Sequence, residues 1–170
     1  MQFRWIYRPG GWRLDWLPSG EEDAGGEDYG YQAFFNSVDA VAMGCISFEK
    51  VLTFQKWPYG DKPVVVLSHK ALNIPSTISE SVSSMTADPG TVMKRLAARG
   101  AEHLYIDGGK TIQGKLEAGL IDSFIITRIP ILLGGGISLF GTHKKDIPLR
   151  HVETRAYASG FVQSHYAVCR

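Results

Sequence analysis

Apolar and polar positions along this chain switch between two periods, and the switches outline an alternating order of strands and helices. PVVVL at 63–67 is an unbroken apolar run with polar flanks, the pattern of a strand buried on both faces. Asp39 to Met43 (DAVAM) predicts a second short buried strand that Gly44 ends, and a weaker strand is expected over 82–85. Helices fall between them. One is predicted from Glu27 or Asp28 to about Ser37, with Tyr31, Phe34 and Phe35 on its apolar side. Another starts at Ser47, because serine is a favoured N-cap. A third opens on Asp88-Pro89 and runs to Arg99, where Gly100 stops it.

From 103 onward the pattern is strand (103–106), a Gly108-Gly109 turn, helix (110–118), a stop at Gly119, a long β-branched strand (123–133) and a triple-glycine turn (134–136). Two alternating runs, 151–157 and 161–168, joined by Ala158-Ser159-Gly160, predict a closing antiparallel hairpin. Strands alternating with helices imply parallel β-α-β units, so the expected fold is α/β with a mixed, mainly parallel sheet. Residues 9–30 read as a long loop rich in glycine, proline and acids. Loops of that length are functional or disordered, and Trp12 and Trp16 argue for the first.

Composition narrows the classes. A chain of 170 residues is expected to form one domain, 1–170, with a real core. A net charge of +1 gives no electrostatic case for nucleic acid or an acidic membrane. No apolar run approaches the ~18 residues of a membrane span, and the opening MQFRWIYRPGGWR has no signal-peptide core. Cys45 and Cys169 are too few for a disulfide framework, and the five histidines show no metal-ligand spacing. A cytoplasmic protein without a metal is expected. The zinc-deaminase signature is also absent.

Three junctions carry candidate chemistry. Gly108, Gly109, Lys110 and Thr111 lie between a strand and a helix, where open α/β sheets bind ligands. Glycines there let backbone N–H groups approach a phosphate at a helix N-terminus, although a plain structural turn is an equal reading. A Walker-type loop is rejected. Gly109 to Lys115 fits G-x-x-x-x-G-K, but Leu116 stands where Ser or Thr must hold magnesium. Ser68, His69 and Lys70 follow a buried strand and suit a phosphate such as the 2′-phosphate of NADP, or a solvated turn. Gly44, Cys45 and Ser47 form a second strand–glycine–helix junction, at which Ser47 caps the helix or reaches a phosphate. Asp28 is either a substrate-facing acid or an ordinary helix-start carboxylate.

Together, Asp15-Trp16-Leu17-Pro18, the 41–49 segment, PVVVLS (63–68), YIDGGKTIQ (105–113) and GLIDSFIITRIPILLGGGISLF (119–140) resemble a known family. The chain is similar to the dihydrofolate reductase-like superfamily, in the branch of the riboflavin-biosynthesis pyrimidine reductase domain that follows a deaminase in bifunctional proteins. The resemblance implies a three-layer αβα fold, NADPH as hydride donor, a small pterin- or pyrimidine-like or imine substrate, and a homodimer. It places Gly44, Cys45, Ser47, Ser68, His69, Lys70 and Gly108 to Thr111 at the cofactor, Trp16 and Asp28 at the substrate, and Asp28 as candidate proton donor.

Two departures stand out. Residues 1–12 lack the family's Ser-x-Asp-Gly turn after a first apolar strand, so that strand is expected to be missing or altered, with 3–7 as a shortened version. Cys45 stands where the family has arginine. Losing a charge-assisted phosphate contact costs about 1.5–3 kcal/mol, roughly tenfold to a hundredfold in affinity. The competing expectations are therefore a non-catalytic nucleotide-binding or oligomerising relative and, as a lesser alternative, a folate-specific reductase.

Overall fold

The computed structural model describes residues 2–3, 27–132 and 138–170. They fall into two compact units, the first Met1–Phe35 with Ile121–Arg170 and the second Asn36–Leu120. The α/β class expected from the sequence is the one found, with the strands hydrogen-bonded in two four-stranded sheets. No helix among the described residues is long and apolar enough to cross a membrane.

The first unit opens with β1 (Gln2–Phe3), which pairs in parallel with β6 (Ser123–Arg128). Of the altered first strand, only these two residues are described; the rest of 1–12 and the aromatic loop up to 26 lie outside the described residues. Helix α1 (Tyr31–Asn36) starts later than predicted. Tyr29 (φ 53°) and Gly30 (φ 72°) adopt left-handed backbone, which ends the preceding turn before a helix can begin. Tyr29 is held there because its ring stacks on Phe161 and meets Tyr157 edge-on, both at 4.9 Å.

The predicted hairpin is present as β7 (Leu149–Ala156) and β8 (Val162–Val168), and β8 also pairs antiparallel with β6. Strand β6 stops at Arg128, short of the expected 133. Pro130 has no N–H for the ladder, and the Ile131 N–H turns back to the Ile129 carbonyl at 2.8 Å, a tight turn that ends pairing. The triple glycine, 134–136, lies outside the described residues.

The second unit holds the parallel sheet: β2 (Ala40–Gly44), β3 (Val64–Leu67), β4 (Val82–Met85) and β5 (Leu104–Asp107), in the order β4-β3-β2-β5. Its centre is almost fully buried, with Val41, Ala42, Met43 and Val64 to Val66 at 0–1% exposure, as a sheet covered on both faces requires. Helix α2 (Cys45–Val51) follows β2, α3 (Pro89–Ala97) follows β4 and α4 (Gly109–Glu117) follows β5. Asp88 caps α3 as predicted, accepting the Thr91 N–H at 3.0 Å, with Pro89 in the first turn. Residues Val92 and Leu96 bury the helix on the sheet side.

A buried cation also belongs to this unit. Lys115 on α4 is 1% exposed and donates to the Pro89 carbonyl at 2.6 Å. Burial pulls its ammonium down to about 8, and the nearby Asp88 carboxylate opposes that shift. It ties α4 to the first turn of α3.

Candidate ligand site at one edge of the parallel sheet

In a parallel sheet every strand ends on the same side, so the residues after each strand share one edge. Register fixes which ones. Gly44 lies opposite Leu67, and Met43 lies opposite Asp107. The junctions at Gly44–Ser47, Ser68–Lys70 and Gly108–Thr111 therefore emerge side by side at the C-terminal edge. The family resemblance alone grouped these residues in the sequence; the parallel pairing brings the three junctions to one edge.

The contact between α2 and α4 is tight. A Cβ on Gly44 would sit 3.0 Å from Thr111 Oγ1, and one on Gly108 would sit 2.5 Å from Ser47 Oγ. Gly108 also has φ 90°, which side-chain-bearing residues rarely adopt. Glycine at 108 is thus demanded by the fold twice over. Gly109 differs, since among the described residues a Cβ there meets nothing within 4 Å beyond its chain neighbours and its own helix. The open space lies beside the first turn of α4, where N–H groups have no acceptor within the helix and carry its positive dipole end.

Ser47 is not the N-cap expected from the sequence. Helix α2 already begins at Cys45, with Gly44 as cap and no side-chain cap bond. The serine hydroxyl instead fills the space beside Gly108. Cys45 is half-buried at the first helical position. Ser68 is buried and its hydroxyl is used locally, donating to the Lys70 carbonyl at 2.8 Å and accepting the Lys70 N–H at 3.0 Å. That ring shapes the loop and leaves His69 and Lys70 exposed at its tip. Lys110 is exposed as well.

Trp16 lies outside the described residues, and Asp28 belongs to the other compact unit. There its carboxylate accepts the Gly30 N–H at 2.8 Å and the Gln32 N–H at 3.0 Å, the work of a helix-start acid. Sequence reading missed Asp107. It quoted D-G-G-K for family likeness only, yet Asp107 is 1% exposed and bonded at both carboxylate oxygens. A charged residue closing an apolar strand just before two glycines was the available signal.

A large cavity lies elsewhere. A space of about 1170 Å³ opens at the opposite, N-terminal edge of the same sheet, with Asp39, Lys56, Trp57, Glu80, Ser81 and Arg99 among its lining. Size alone makes it a candidate pocket. Its central acid is already committed, because Asp39 accepts the Glu102 and His103 N–H groups at 2.8 and 2.7 Å. Those two bonds hold its carboxyl below the usual value. Strand starts, the end of α3 and a single 3-10 turn (Ser76–Ile78) surround this cavity, and no α-helix start among the described residues does, so the C-terminal edge is the better anion site. Among the described residues no cluster of His, Cys, Asp or Glu could hold a metal.

Comparison with known proteins agrees with this fold. Residues 49–163 match the family model of the RibD C-terminal domain. The chain is 33% identical over 156 residues to the uncharacterized protein YwjB of Bacillus subtilis (strain 168), covering 90% of this chain and 85% of that one. A crystal structure of a Shewanella sp. PV-4 protein assigned to riboflavin biosynthesis superposes with a TM-score of 0.83 at 35% identity, covering 93% of this chain and 89% of that one. A Thermotoga maritima diaminohydroxyphosphoribosylaminopyrimidine deaminase/5-amino-6-(5-phosphoribosylamino)uracil reductase shares the fold at a TM-score of 0.66 and 14% identity, over 84% of this chain and 48% of that one.

Proposed function

The chain belongs to the RibD C-terminal domain family, a reductase family of riboflavin biosynthesis, and we propose that it is itself an NADPH-dependent reductase of a small pyrimidine- or pterin-like or imine substrate. The observation that supports this best is the pairing of a space-filled Gly108 with an open Gly109 at the start of α4. Such a start gives an anion both backbone donors and room to approach.

In this reading the first-turn N–H groups of Gly109, Lys110 and Thr111, with Gly44, Cys45 and Ser47 beside them, hold the diphosphate side of the cofactor. Ser68 shapes the loop that offers His69 and Lys70 to the 2′-phosphate. Bound NADPH supplies the hydride; the protein orients the two rings and excludes water. Trp16 and Asp28 serve the substrate, with Asp28 as proton donor, and the protein works as a homodimer.

A second reading, a nucleotide-binding relative without turnover, draws support from Cys45 at the first position of α2, where the family's arginine would face the phosphates. One experiment separates the two. Melting with and without millimolar NADPH, followed by 340 nm absorbance with an aminopyrimidine ribotide, should show stabilisation and then NADPH consumption. Ligand at a hundred times its Kd stabilises by about 2.7 kcal/mol. Stabilisation without consumption supports the second reading; no shift at all contradicts both.

A further inference from the structure

Asp107 does not enter the proposed chemistry, yet it is the most buried acid beside the site, at 1% exposure at the end of β5. A carboxylate in an apolar interior is costly unless it is fully hydrogen-bonded. One oxygen accepts the N–H of the next residue, Gly108, at 2.7 Å. The other accepts the hydroxyl of Tyr59, itself 4% exposed, at 3.3 Å. Tyr59 is in turn fixed by Trp57, whose ring meets it edge-on at 5.1 Å.

These bonds decide which N–H groups the loop offers. The Gly108 N–H is turned back onto Asp107. The Gly108 carbonyl is turned forward and accepts the Ile112 N–H at 2.9 Å, which starts α4. Both directions depend on the unusual φ of 90° at Gly108. With that peptide pinned, the first-turn N–H groups of α4 that have no acceptor within the helix are those of 109 to 111.

We propose that Asp107 is a positioning residue for the cofactor loop, acting through the Gly108 peptide and not by touching ligand. It sets the start of α4 before ligand arrives, which spares binding the cost of ordering the loop. The inference rests on the NADPH reading for its binding arm and is independent of it for its structural arm.

The test compares wild type with Asp107→Asn, Asp107→Leu and Tyr59→Phe. Asparagine keeps an oxygen for the Gly108 N–H, so NADPH affinity should stay within about threefold of wild type. Leucine has a similar shape and no acceptor, so a folded Asp107→Leu protein should bind at least tenfold more weakly. Asp107→Ala replaces it if the leucine variant does not fold. Tyr59→Phe should lower Tm and leave affinity unchanged, which separates loop positioning from general stability.

Amide hydrogen exchange supplies the arm that needs no NADPH. Gly108 should be protected in wild type and in Asp107→Asn, and lose at least tenfold of that protection in Asp107→Leu. If wild type binds no NADPH but this exchange pattern holds, the cofactor reading fails and the loop lock stands. Unchanged Gly108 exchange in Asp107→Leu, wild-type affinity in that variant, or an equal affinity loss in Tyr59→Phe would overturn the proposal.

Discussion

The two edges of the parallel sheet are built from the same four strands and behave differently. At the N-terminal edge side chains leave a large cavity, and the acid at its centre, Asp39, is spent on two backbone N–H groups. At the C-terminal edge glycines bring α2 and α4 so close that Ser47 and Thr111 occupy the space side chains would need. A large opening is thus not the chemically better equipped one. Helix starts and backbone donors mark a phosphate site better than volume does, because the cofactor brings its own chemistry and needs mainly a shaped, polarised surface.

The largest effect expected is at Gly108. Gly108→Ala combines strain from the positive φ with a clash against Ser47 Oγ, and should cost about 2–5 kcal/mol in denaturant unfolding. Adding Ser47→Gly should return part of that loss, since the two positions share one space. Full additivity would show that the close approach is not what requires glycine. No comparable cost is expected for changing an exposed cation in the cavity wall at the other edge, such as Lys56 or Arg99.

Next comes Lys115. Its folded value of about 8 lies below the ordinary lysine value near 10.5, so the unfolded chain binds more protons between the two. The contribution of this group to stability therefore rises with pH across that window, by on the order of 2–3 kcal/mol at most. Lys115→Met, similar in volume and uncharged, should flatten that rise measured by urea unfolding at pH 7 and pH 10. The same slope in both proteins would mean that the ammonium is not the group responsible.

How much of this was legible beforehand follows from the kind of physics involved. The buried strands PVVVL and DAVAM, the Asp88-Pro89 helix start and the closing hairpin rest on local pattern and capping, and all were found. Ser47 misled because cap preference is a weak local signal; the close packing of Gly44 against Thr111 moved the helix start to Cys45. Pro130 ended β6 early, a stop that the β-branched run had hidden. Asp107 was invisible as a functional residue because its burial is a tertiary property, marked by a contact with Tyr59, 48 positions away.

The smallest effects are expected at the N-terminal edge, and they sharpen the contrast most cheaply. Lys56→Ala and Arg99→Ala, both in the cavity wall, should leave NADPH affinity within about twofold. Asp39→Asn should lower Tm modestly. Asp39 has a depressed carboxyl, so its stabilising contribution is present above the ordinary Asp value and is lost as pH falls through the folded value; the variant should be less acid-sensitive. A large affinity loss in either cation variant would move the site to the cavity.

The most direct measurement is a calorimetric titration of NADPH into wild type and Gly109→Leu. Among the described residues, nothing beyond its chain neighbours and its own helix lies within 4 Å of the added Cβ, so the variant should fold with a Tm close to wild type. Wild type should give saturable heat and Gly109→Leu none. Equal binding by both proteins, or no binding by wild type, would contradict the placement of a cofactor at this edge.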